Sequence, residues 1–284
     1  MTHRTASLDS TCHLLREDPE LARRISAKRR ALAEDGCTVR ALNVRRGRWN
    51  PPAGDLPKGV GLLVLEGLLL RRVTVDGRSG AELLGAGDVF HPWHDDDGAK
   101  MQRATAWRAL QMTRLAMLDD RAAERLAKYP EIMRELLERS LERSRRLAVN
   151  MAIVHHPRVD IRLQMLFWHL ADRWGRVRDG QTLLPLRLTH DVLADLIVAQ
   201  RPTVSTALAD LASREIVRPL PDGWLLLAPP PEDRPGRYTP TAAIPRRGAS
   251  RPDRRMDRVL DPSPQAAPEP RVCRAARDAS TRPG

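Results

Sequence analysis

Residues 188–211 read LTHDVLADLIVAQRPTVSTALADL, and the order of polar and apolar positions in this stretch decides the fold around it. Thr189 stands where a hydroxyl can cap a short helix, and Val192, Leu193, Leu196 and Ile197 then fall on one inward face. A turn over residues 198–200 leads to a second helix opening at Arg201-Pro202, with proline early, where its missing N–H costs nothing. Val204, Ala207, Leu208 and Leu211 line the inner face of that helix, and the opposite face shows Arg201, Ser205, Thr206 and Ala209. A face of small and polar residues leaves a helix protruding and able to enter a major groove about 12 Å wide.

The segments on either side complete the unit. Upstream, VDIRLQMLFWHLADRW places Val159, Leu163, Leu166, Phe167, Leu170 and Trp174 on one stripe of an amphipathic helix, and LPLRL follows as a short strand. Downstream, VRPLPDGWLLL is an apolar hairpin pivoting on Asp222-Gly223, which makes a wing. Helix, strand, helix, turn, helix and wing in this order specify a winged helix-turn-helix over residues 157–228.

Before it lies EIMRELLERSLERSRRLAVNMAIVHH, opened by Tyr129-Pro130-Glu131 and closed by Pro157. Leu137, Leu141, Ser144, Ala148, Met151 and His155 recur at intervals of four and three, the seam of two helices packed side by side. Residues 129–156 therefore read as a long dimerisation helix. Earlier still, residues 38–118 are short apolar runs punctuated by Gly, Pro and Asp-Gly, with Asp76-Gly77 as a type I′ hairpin signal, and they indicate a small β-roll. A helix over residues 16–33, carrying Leu21, Ile25 and Leu32, completes a domain of residues 16–128. The first fifteen residues read as a flexible N-terminus. From residue 229 to 284 the chain turns rich in Pro and Arg, with about half of its 23 prolines and a net charge of about +5, and reads as a disordered basic tail. The fold class is α+β: β-roll, long helix, winged helix-turn-helix.

A net charge of +12 makes polyanions the expected partners. GLLVLEGLLL is broken by Glu66, no run approaches a membrane span, and a cytoplasmic location is expected. Cys12, Cys37 and Cys273 lack the paired spacing of a zinc or iron–sulfur site, and neither a GxSxG nor a P-loop motif occurs. No enzyme, metal or cofactor is expected.

In these features the chain resembles the Crp/Fnr family of bacterial transcription regulators from about residue 16 to 227, with residues 188–211 the most specific match and GLLVLEGLLLRRVTVDG and GAGDVF in support. The resemblance implies double-stranded DNA, a second copy of the chain and RNA polymerase as partners, with no membrane. It makes Arg201 a reader of a guanine edge, Thr203 and Ser205 phosphate contacts, and Thr206 a neighbour of the bases; Pro202 and Thr189 complete the DNA-binding set. Two departures stand out. Val198 occupies the turn position where the family usually has Gly, and positive φ is costly for a β-branched residue, so the turn is expected to be either reshaped or strained; Pro202 replaces a glutamate that accepts from cytosine.

The effector pocket also departs from the family. FHPWHDDDG at residues 90–98 lacks the ribose-binding acid of cyclic-nucleotide-binding members, and Asn150-Met151 replace the hydroxyl pair that meets adenine. Arg103 lies near the phosphate-binding position, and His91, Trp93, Arg103, Asn150 and Met151 are the expected lining of an altered pocket that does not take cyclic AMP in the usual way. Two rivals remain: a metal-dependent cupin-like enzyme using His91 and His94, and a constitutive DNA-binding protein with a vestigial β-roll.

Overall fold

The computed structural model describes residues 6–51, 59–92, 101 and 103–231, with the side chains of residues 6–10 excepted. Two antiparallel sheets form the N-terminal half. One runs β1 (Ala6–His13), β2 (Thr38–Val44), β9 (Thr113–Asp119), β4 (Gly59–Glu66), β7 (Val89–Phe90); the other runs β3 (Gly47–Trp49), β8 (Ala104–Ala109), β5 (Leu68–Val75), β6 (Arg78–Gly85). Asp76 and Gly77, both at positive φ (48° and 72°), close the β5–β6 hairpin, as a type I′ turn demands.

β4 and β9 of the first sheet and the start of β5 in the second are covered on two faces and read there as apolar runs, whereas β8 alternates exposed with more buried positions. Leu62, Val64, Leu69, Leu84, Leu115 and Met117 point between the sheets around Trp49, Phe90 and Trp107, whose ring centroids lie 5.0–6.3 Å apart. Leu63, Ala116 and Leu118, their chain neighbours, point outward beneath the N-terminal helices and the start of the long helix. Leu68 and Leu70 point outward from the second sheet into the core of the C-terminal half.

The N-terminus differs from its sequence expectation. Ala6–His13 is an edge strand paired with β2, because its partners are backbone groups that composition does not reveal. The helix expected over residues 16–33 is three pieces, α1 (Leu14–Glu17), a 3-10 turn (Pro19–Ala22) and α2 (Ala27–Gly36), since Pro19 cannot continue a helix begun at Leu14. Leu21 and Ile25 are buried while Leu32 is exposed. α3 (Asp120–Leu126) is capped by Asp119, whose Oδ1 accepts from Ala122 N at 2.8 Å.

α4 (Pro130–Val154) is about 38 Å long at 1.5 Å per residue and buries Ile132, Glu135, Leu136 and Ile153. After it come α5 (Val159–Trp174), β10 (Arg176–Arg178), β11 (Gln181–Leu184), α6 (His190–Leu196), α7 (Arg201–Ser213), β12 (Val217–Leu220) and β13 (Gly223–Leu226), the last two joining β10 and β11 in a third sheet ordered β10-β11-β13-β12. Where the sequence reading expects one strand, LPLRL at residues 184–188, the structure has the β10–β11 hairpin ending at Leu184, turning at Asp179 and Gly180 with positive φ as Asp-Gly signals, and residues 185–188 are in no strand. The wing turns one residue earlier than expected: Leu220 pairs with Gly223, so Pro221-Asp222 form the loop. Gly223 is instead the place where β13 passes against Leu184 O, which a Cβ would approach to 2.1 Å. Residues 232–284, and with them nearly all of the basic tail, lie outside the described residues.

Candidate nucleic-acid interface and the junction beneath it

The protruding helix α7 is built from its inner face outward. Val204, Leu208 and Leu211 are buried against Leu163, Phe167, Val192, Leu193 and Trp224, fixing which side faces solvent. Arg201, Pro202, Thr203 and Thr206 are exposed on the other side. Thr189 Oγ1 accepts from Val192 N at 3.4 Å and so caps α6, and its exposed position keeps it on the same surface. Val198 has φ 54°, and Ala199 N reaches back to Ala194 O at 3.0 Å to close the turn.

Two polar links prepare the first turn of α7. Arg201 Nε lies 3.2 Å from Asp191 Oδ1, with both side chains more than half exposed, so the pair steers the guanidinium more than it stabilises the fold. Ser205, expected as a phosphate contact, is half-buried, donates to Arg201 O at 3.1 Å and faces His190 Nδ1 at 2.8 Å. Its i−4 carbonyl is within reach on any helix, and His190 comes from the adjoining α6. Thr206 Oγ1 likewise donates to Pro202 O, at 3.2 Å. Beside them Arg187 Nε donates to Pro221 O at 2.7 Å and its Nη2 meets Asp222 Oδ1 at 3.1 Å, tying the wing tip to the entry of α6. His190, Asp191 and Arg187 are residues the sequence reading missed. The signal was their position at the entry of α6, where side chains can reach the first turn of α7 and the wing.

The expected effector residues separate into two places. Asn150 and Met151 line a cavity of about 320 Å³ with Arg71, Val73, Leu196 and Val198. Asn150 Nδ2 donates to Ala81 O at 3.4 Å, and its Oδ1 is buried without a hydrogen-bond partner. His91 and Arg103 do not line that cavity: His91 Nε2 faces Gly59 O at 3.2 Å, and Arg103 is exposed just before β8. The altered pocket is therefore not one site, because His91 follows β7 and Arg103 precedes β8, away from the cavity beside α4. Trp93, His94 and the aspartates after them lie outside the described residues.

Beyond its apolar start at Ile132 and Leu136, α4 is joined to the roll by charge. Glu82 is buried between Arg143, whose Nη2 and Nε lie at 2.7 and 3.1 Å, and Arg71 Nε at 2.6 Å. Asp88, 1% exposed, accepts from Gly85 N at 2.8 Å, from Arg146 of α4 at 2.6 Å and from Arg173 of α5 at 2.6 Å. Burial and the neighbouring Arg173 push the Arg146 guanidinium below its ordinary pKa, and Asp88 opposes that shift. Arg139 bonds Asp18 and Glu135. Arg139, Arg143 and Arg146 stand at intervals of four and three, so α4 turns an arginine stripe to the roll. Leu137, Leu141, Ser144, Ala148 and Met151 are left exposed. The winged domain is also docked on the roll: Arg72 pairs with Asp195, and Trp174 packs so closely on Gly85 that a Cβ there would come within 2.9 Å of its ring.

Comparison with known proteins agrees with this arrangement. The family described as Crp-like helix-turn-helix domain matches residues 161–229. A curated relative, the CRP-like cAMP-activated global transcriptional regulator of Mycobacterium tuberculosis H37Rv, is 31% identical over 145 residues, which are 50% of this chain and 64% of that protein. The chain thus spans somewhat less than two thirds of the relative's length. Among solved structures, a cyclic nucleotide-binding domain containing protein from Listeria monocytogenes superposes with a TM-score of 0.55 at 13% identity, covering 66% of this chain and 88% of that one. A single-residue variant of CprK complexed with OCPA superposes with a TM-score of 0.50 at 14% identity, covering 76% and 90%. Residues 161–229 form a Crp-like helix-turn-helix domain, and the chain that carries it has the fold and the likeness of the Crp/Fnr regulators.

Proposed function

We propose that the chain is a homodimeric, sequence-specific DNA-binding transcription regulator. The observation that carries the reading is the exposed α7 face of Arg201, Pro202, Thr203 and Thr206 beside a wing, on a domain of Crp-like helix-turn-helix type. Arg201, its Nε turned to Asp191, keeps its terminal nitrogens for a guanine O6/N7 edge, the pairing a guanidinium fork fits best. Exposed Leu137, Leu141 and Met151 supply the apolar seam for a second copy, with Ser144 and Ala148 as its small positions. A two-fold dimer places its half-sites one helical turn apart, about 34 Å. RNA polymerase is the further partner that such a regulator implies.

The M. tuberculosis relative is described as cAMP-activated. Here Glu82 engages both Arg71 and Arg143 between the second sheet and α4, so both guanidiniums already hold a carboxylate of the chain, and Asn150 stands beside them. We infer that cyclic AMP is not held in the relative's manner. The same ion pairs favour a second reading, in which the link from roll to helix is permanent and DNA binding is constitutive. Among the described residues no group of His, Cys, Asp and Glu favours the metal-enzyme alternative. Arg201→Ala tests the first reading: a loss of about 1–3 kcal/mol confined to cognate sequence supports base reading, and an equal loss on all DNA marks a phosphate contact.

A further inference from the structure

We infer that Arg162 is the positioning residue that holds the helix-turn-helix turn in a left-handed conformation which its own sequence disfavours. Val198 sits at φ 54°, where a β-branched side chain is crowded and glycine is not. Such a conformation persists only when surrounding structure over-determines it. Arg162, in the first turn of α5 and partly buried, supplies that constraint. Its Nη1 donates to Ile197 O at 3.1 Å and to Val198 O at 3.3 Å, and its Nε donates to His156 O at 2.5 Å. The first two carbonyls follow α6, where the helix has run out of its own donors. The third belongs to the link between α4 and α5.

One planar guanidinium therefore ties that link to the turn, which an ammonium with a single donor centre cannot span in the same way. Ile197, fully buried, anchors the turn from the inside. Arg201 follows Val198 by three residues, and Gln200 O accepts the first α7 bond from Val204 N at 3.0 Å. A relaxation of Val198 to negative φ would swing this start of α7 and the side chains it presents. The same contact to His156 O gives the α4–α5 link a direct hold on the recognition helix.

The inference deepens the DNA-binding reading and rests on it for its affinity readout, so a second readout without DNA is paired with it. Arg162→Met is made with Val198 and with Val198→Gly, and affinity is measured for an oligonucleotide selected by the unsubstituted protein. With Val198 the expected loss is about tenfold, and with glycine, which holds positive φ unaided, less than about threefold. An equal loss in both backgrounds would mean that Arg162 merely caps α6, and would overturn the inference. Exchange of the Ala199 amide, protected by Ala194 O, reads the turn directly: Arg162→Met should speed it with Val198 and not in the Val198→Gly background. Unchanged exchange with Val198 in place also overturns the inference. Should no oligonucleotide be selected while the exchange pattern appears, the DNA-binding reading fails and the role of Arg162 stands. Arg162→Lys supplies the same cycle if the methionine variant does not fold.

Discussion

Asp88→Asn removes one charge and no volume from the junction of roll, long helix and winged domain. Asp88 is 1% exposed and faces two guanidiniums at 2.6 Å, and the Arg146 and Arg173 side chains are themselves only 24% and 17% exposed. Deleting one partner of a buried ion pair costs about 3–5 kcal/mol, because the remaining charge stays desolvated. Here the arginines reach some water, and Arg173 keeps Ala86 O at 2.8 Å, so the cost falls to about 2–3 kcal/mol. With a urea dependence of about 2 kcal/mol/M, the unfolding midpoint should drop by about 1–1.5 M. Arg173→Met leaves Asp88 with Arg146 and Gly85 N and should cost about half as much. The two changes should be strongly non-additive in the double variant, since they break the same bond. Additive losses, or an Asp88→Asn shift below about 0.3 M, would refute the view that this carboxylate clamps the domains together.

Other expectations follow from the same geometry. If α4 forms the proposed dimer seam, the unsubstituted chain should sediment as a dimer and Leu141→Glu as a monomer that has lost tight DNA binding, with the fold, read by circular dichroism, intact. Burial depresses the pKa of His169 below its ordinary 6.5, with Arg146 adding to the shift and Asp172 opposing it. The unfolded chain therefore binds the proton first, and stability present above pH 6.5 is lost as pH falls from there towards the folded value; His169→Asn should flatten that slope in urea titrations. Burial, and to a lesser degree Glu17, raises Cys12 to about 11, and burial raises Cys37, so neither thiol should be alkylated at neutral pH until the protein is unfolded, as peptide mass mapping would show.

The winged domain was legible because its signals are local. Thr189 as cap, Pro202 at the helix entry and the inward spacing of Val204, Leu208 and Leu211 each act within a few residues, and together they specify α6, the turn and α7. That the turn at Val198 would be either reshaped or strained could be foreseen from the resemblance, which puts glycine at that position. Its remedy could not, because Arg162 lies 36 residues away and acts through carbonyl oxygens that any sequence possesses. The edge strand Ala6–His13 escaped notice because its pairing is with backbone. On α4 the apolar seam is the more visible pattern, whereas Arg139, Arg143 and Arg146 repeat with equal regularity and face the half-buried Asp18 and the buried Glu82 and Asp88. Charge at helical spacing is usually a solvated face, and only the partners on the roll make it otherwise.

Whether α7 reads sequence from a two-fold dimer is tested most directly by selecting bound oligonucleotides from random duplex DNA at modest ionic strength. The expected result is enrichment of a two-fold symmetric sequence whose halves are centred about one helical turn apart. A folded protein that enriches no sequence over competitor, with or without small-molecule extracts, would contradict it.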